Sequence, residues 1–166
     1  MQNHIWAKTL LSSYRFLERI AGAIDKIIEK KALSSSSMLG SEILTGNTLS
    51  LTDKIIELSE RKVKLINMKV LIEGALKGMK PLDAKILIKR YIEKVPVESI
   101  YADLGIARRT YFRKIGEAES AFEAGCAHMS FPTERLENYL KSEAWIMEVK
   151  KSFEKGEVKE LQVKIG

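Results

Sequence analysis

A single cysteine in 166 residues, Cys126, excludes an intramolecular disulfide. Apolar runs are just as scarce. They last only a few residues before Lys, Arg or Glu interrupts them, far short of the ~18 to 20 needed to cross a bilayer. Met1 to Leu33 lacks the short apolar core and small-residue cleavage site of a secretory signal, so the expected setting is a reducing cytoplasm, away from membranes. Metal-binding spacings are also missing. His4 and His128 are isolated, no paired cysteines or H-E-x-x-H occur, and no glycine-rich turn follows a strand. Cys126 lies two residues before His128, and positions two apart on a helix point away from each other, so a nucleophile and base are not formed. These absences lead us to expect no metal, no cofactor and no enzymatic activity.

What is present is a chain with 45% hydrophobic and 30% charged residues, able to bury a core as one domain or two small ones. The net charge of +6 is concentrated. From Lys80 to Lys114 there are nine Lys and Arg against four acids, whereas residues 116–131 carry Glu117, Glu119 and Glu123 with no Lys or Arg, and residues 132–166 are balanced. A polyanion would be drawn to one segment. The acidic trio reads as an exposed helical face.

Periodicity points to helices throughout. Leu10, Tyr14, Leu17, Ala21, Ile24 and Ile28 alternate steps of four and three, predicting one long amphipathic helix from about Asn3 to Leu33. Ser34 to Ser37 break that pattern and open a Ser-rich linker expected over 34–50. Ser50 suits an N-cap, and a second long helix then carries Leu51, Ile55, Leu58, Leu65, Ile72 and Leu76 to near Gly78, with Ile56, Val63, Ile66 and Val70 on the adjoining face. The two helices either fold back as a hairpin or pair with another subunit.

The three prolines punctuate the rest. Pro81 suits the first turn of a third helix running to about Glu93, Val95-Pro96 stops it, and Pro132 precedes a last helix through Phe153. Trp6, Trp145, Tyr139 and Phe153 fall at helical spacings that suit ordinary packing.

Between Pro96 and Gly116 lies the segment that carries function. Ile100 and Leu104 stand one turn apart, Ala102 permits close packing, and Gly105 tolerates the positive φ of a tight interhelical turn. Ile106 then fills the corner, and Tyr111 and Ile115 face inward on a second helix. Arg108, Arg109, Thr110, Phe112, Arg113 and Lys114 are left on or near the outer face. Arginines at the start of a helix in the major groove can reach guanine O6 and N7. Arg108, Arg109 and Arg113 are therefore the expected base readers, Thr110 and Lys114 the expected phosphate contacts. Phe112 either touches a thymine methyl or packs on the preceding helix.

The stretch from Leu82 to Phe122 resembles the region 4 helix-turn-helix of sigma-70-like factors. Leu87-Ile88-Lys89-Arg90-Tyr91-Ile92 looks like the helix before the motif, and Ala102-Asp103-Leu104-Gly105-Ile106 followed by Arg108-Arg109-Thr110 looks like the motif itself. The wider layout over Leu11 to Phe122 is similar to ArpU/RinA-type phage late-transcription regulators. Ala107 stands where the family usually opens its recognition helix with a small hydroxyl residue, so a side-chain N-cap is missing.

These readings combine into an all-α fold: 1–79 a long helical hairpin or dimerisation region, 80–125 a DNA-binding helix-turn-helix, and 126–166 a C-terminal helical extension. The resemblance implies a sequence-specific double-stranded DNA-binding transcription regulator, of phage or prophage origin, acting as a homodimer or other homo-oligomer. A second reading is an adaptor that binds RNA polymerase or another protein through a sigma-like fold without reading DNA. A complete sigma factor ranks lower, because no aromatic-and-basic promoter-melting segment lies upstream of residue 80.

Overall fold

The computed structural model describes residues 3–37 and 46–156, with side chains described outside 34–48. Among these residues the fold is all-α, with no strand: α1 (Ile5–Ser37), α2 (Gly46–Lys77), α3 (Pro81–Leu87) running into a π-helical turn (Ile88–Ile92), α4 (Val97–Leu104), α5 (Arg108–His128), α6 (Thr133–Leu140) and α7 (Ala144–Glu154). No described helix is long and apolar enough to cross a membrane.

Helix ends depart from the sequence expectation in three places. Both long helices encroach on the Ser-rich linker expected over 34–50. Ser34 to Ser37 continue α1, and α2 starts at Gly46, which puts Ser50 inside the helix rather than at its cap. Serine's helix penalty is only some tenths of a kcal/mol per residue, too little to stop a helix already propagating. The middle of that linker, 38–45, lies outside the described residues. The third helix leaves α geometry at Ile88, where Glu93 N–H donates to the Ile88 carbonyl at 2.8 Å and Val95 N–H to that of Lys89 at 2.8 Å. The single last helix divides into α6 and α7, because Glu143 N–H turns back to the Leu140 carbonyl (2.9 Å) and Glu143 itself is buried, its carboxylate accepting from Trp145 Nε1 at 3.1 Å.

The chain forms two compact units, described separately. The first joins the residues up to Arg15 to those from Val70 onward, so the expected helix-turn-helix region, the C-terminal extension and the first turns of α1 belong to one packed body. Its core draws Trp6, Leu10 and Leu11 from α1, Leu71 and Ile72 from α2, Ile86 and Leu87 from α3, Ile100 from α4, Tyr111 and Phe122 from α5, Leu136 and Leu140 from α6, and Ile146 and Val149 from α7. Trp6 is buried against Lys150, whose Nζ lies 5.4 Å from the ring centroid, and Phe131 meets Tyr139 edge-on at 5.2 Å. The second unit, Phe16–Lys69, is the remainder of α1 and α2 packed antiparallel, with Lys62 bonded to Asp25 at 2.6 Å and Lys69 to Glu18 at 3.3 Å.

Candidate nucleic-acid interface

The geometry begins at the end of α4. Gly105 adopts φ 64°, ψ 32°, its N–H donates to the Ala102 carbonyl (3.1 Å) and the Ile106 N–H to the Tyr101 carbonyl (3.1 Å). This pair of bonds is a Schellman cap, which satisfies the last carbonyls of α4 and reverses the chain in one residue. Ala107 then takes an extended conformation (φ −71°, ψ 150°), and its carbonyl accepts the first α5 bond from Tyr111 N–H at 3.0 Å. As the missing hydroxyl at position 107 implied, no side chain caps this helix start.

α5 is held by one continuous inward stripe. Tyr111, Ile115, Ala118, Phe122 and Cys126 are all buried, at spacings of four and three, and α3 packs on this helix. Tyr111 meets Tyr101 of α4 with ring centroids 6.2 Å apart, which braces the two helices of the motif against each other. Its hydroxyl is buried without a hydrogen-bond partner, and burial raises its pKa. Ile100 is fully buried, whereas Leu104 and Ile106 at the corner are half-buried.

The opposite face carries the expected cations. Arg108, Arg109 and Arg113 are exposed, Thr110 and Lys114 are half-buried on one flank, and Phe112 is 49% exposed. Phe112 packs on its own helix: it meets Tyr111 edge-on at 5.1 Å, and the Arg108 guanidinium lies 5.6 Å from its ring centroid. Arg113 reaches Glu117 at 3.9 Å, an exposed i,i+4 pair too weak to hold it against a competing phosphate. All three arginines thus project from the first two turns of α5, with no acid in its first turn.

The acidic trio after the motif is not the exposed face that spacing suggested. Only Glu117 fits that description. Glu119 is buried and accepts a hydrogen bond from the Tyr91 hydroxyl at 2.5 Å, linking α5 to the π turn. Burial raises its pKa, countered by the Tyr91 hydroxyl and by Lys8 and His4 nearby. Burial, followed by the Glu119 charge, likewise pushes the Tyr91 hydroxyl far above the usual phenol range. Glu123 accepts from Ala7 N–H at 3.2 Å and from His4 Nδ1 at 3.3 Å, supplying the acid that the first turn of α1 lacks. Glu119 and Glu123 therefore fasten the shaft of α5, leaving its first two turns outward. The signal for Glu119 was its position, four residues after Ile115 and three before Phe122 on the inward side.

Burial pushes the Cys126 thiol up to about 12, which makes it a poor nucleophile. Comparison with protein families, with curated proteins and with solved structures returns no match.

Proposed function

We propose that the chain binds double-stranded DNA and regulates transcription, with the first two turns of α5 entering the major groove. The observation that carries this reading is the placement of Arg108, Arg109 and Arg113 on the exposed side of a helix whose other side is anchored by Tyr111 and Ile115. A groove-binding helix needs both: a rigid seat and long cationic side chains that no neighbouring segment covers. Arg108, Arg109 and Arg113 read base edges, Thr110 and Lys114 touch phosphates, and Phe112 supports Arg108.

Selection of bound duplexes from a random pool, repeated at two salt concentrations, tests it. A base-reading helix recovers one motif at both, with affinity falling steeply as salt rises through counterion release. Replacing Arg108 and Arg109 with Ala should lower affinity for the selected site by roughly 10- to 100-fold per lost bidentate contact while leaving helicity unchanged. Equal footprints for variant and parent would refute the assignment. The rival reading, an adaptor for RNA polymerase, draws on the exposure of Phe112 among the arginines. It predicts no enriched motif, and a polymerase interaction abolished by Phe112→Ala.

A further inference from the structure

We infer that the half of the α1–α2 hairpin farthest from Arg15 and Val70 is a self-association surface, occupied by the same hairpin of a second copy. The inference does not depend on DNA binding. Among the described residues of the second unit, the buried ones are Leu17, Ile20, Ala21 and Ile24 on α1 and Leu65 and Met68 on α2. Among the described residues, none from Asp25 to Leu33 or from Leu49 to Lys64 is buried. Helices draw most of their stability from packing an apolar face, and a two-helix layer leaves one face of each helix with nothing to cover it.

The uncovered face has a pattern. Leu49, Ile56 and Val63 recur at seven-residue intervals on α2, exposed by 72, 50 and 57%. Seven residues fall only ~20° short of two turns, so these side chains form one nearly straight ridge along α2, a shape that another helix can pack against. Beside Val63 runs a groove of about 450 Å³ between the two helices, lined by Asp25, Ile28, Ser59, Lys62, Val63, Ile66 and Asn67. One surface thus offers both a ridge and the recess to receive one, as an isologous interface requires. Charge favours a copy over a polyanion. Residues 25–33 hold three bases and two acids and residues 49–64 four and three, so two copies face each other without the single-sign field of the segment around Arg108. Stable complexes bury roughly 800 Å² per partner, an area that two helices supply more readily than one. Both helices of each copy therefore contribute, giving a four-helix bundle.

Sedimentation of the full chain without DNA, from about 1 to about 100 µM, reads this directly. The expected result is twice the single-chain mass at the upper end, reverting to one chain in Ile56→Glu/Val63→Glu with the helical circular dichroism retained. Should that variant lose helicity, Ile56→Cys/Val63→Cys under mild oxidation gives the second reading: a covalent dimer forms through these positions, the buried Cys126 of the parent serving as control. A parent that stays single at about 100 µM, a dimer unaffected by the glutamates, or a cysteine variant that does not cross-link overturns the proposal. Loss of motif selection with the dimer intact would sink the DNA reading alone.

Discussion

Removing the Tyr91 hydroxyl, by Tyr91→Phe, should destabilise the first unit in a pH-dependent way. That hydroxyl donates at 2.5 Å to the carboxylate of Glu119, itself only 6% exposed. A hydrogen bond to a charged group contributes about 1.5–3 kcal/mol, and its loss leaves the charge buried without that donor. A loss of about 2 kcal/mol corresponds to a fall of roughly 8–12 °C in Tm for a unit of this size. The sign with pH follows from linkage. Burial raises the Glu119 pKa above its ordinary 4.5, so the folded state holds that proton more tightly than the unfolded one. The stabilisation it brings is complete below the unfolded value and is lost as pH rises through the folded value. The Tyr91 bond opposes this rise, so the phenylalanine variant raises the pKa further and its deficit widens between pH 4 and pH 7. Glu119→Gln keeps an acceptor for Tyr91 without a buried charge. It should match or exceed the parent at pH 7 and flatten the pH dependence. Thermal melts of the three proteins at both pH values decide it. A Tyr91→Phe deficit absent at pH 7, or equal at pH 4, would refute the claim that the hydrogen bond from Tyr91 to the Glu119 carboxylate anchors α5.

Gly105→Ala places a side chain at φ 64°, where a Cβ meets nothing yet the backbone conformation is disfavoured; denaturant titration should show a loss of about 1 kcal/mol. Phe122→Ala removes a fully buried ring midway along α5 and should lower stability by about 3–5 kcal/mol in the same assay. Arg108→Ala/Arg109→Ala, expected to weaken DNA binding, should leave Tm equal or slightly raised, since it withdraws two positive charges from the positive end of α5.

Much of the architecture could be read from local chemistry. The inward pair Tyr111 and Ile115, the stop at Val95-Pro96 and the αL turn at Gly105 each depend on neighbours in sequence, and each stands as expected. What could not be read depends on segments far apart in the chain. Glu119 and Glu123 sit in a run that looks like a solvated acidic face. Their roles appear only once Tyr91 and the start of α1, 28 and 116 residues away, are brought alongside. The break between α6 and α7 has no proline or glycine to announce it, because it follows the burial of Glu143 rather than a backbone preference. The four serines misled in the other direction, since a composition typical of linkers is a weak local tendency against a helix already formed.

The start of α5 stands apart from the other helix starts in the first unit. α3 opens with proline and places Asp83 in its first turn, α4 has Glu98 there, α6 has Glu134, α7 has no acid in its first turn but Glu143 at its cap position, and α1 borrows Glu123 from another helix. Each sets a negative group against the positive helix end. α5 does the reverse: no acid at its cap position or in its first turn, and two exposed arginines at its first two positions. Nothing in the packing demands this, because the inward stripe begins only at Tyr111 and would be served by any residues at 108 and 109. A local rule kept elsewhere and broken at one exposed, rigidly supported place points to a requirement outside the folded chain. Under the proposed function that requirement is DNA: the arginines reach base edges while a flanking phosphate meets the open backbone N–H groups of the helix start.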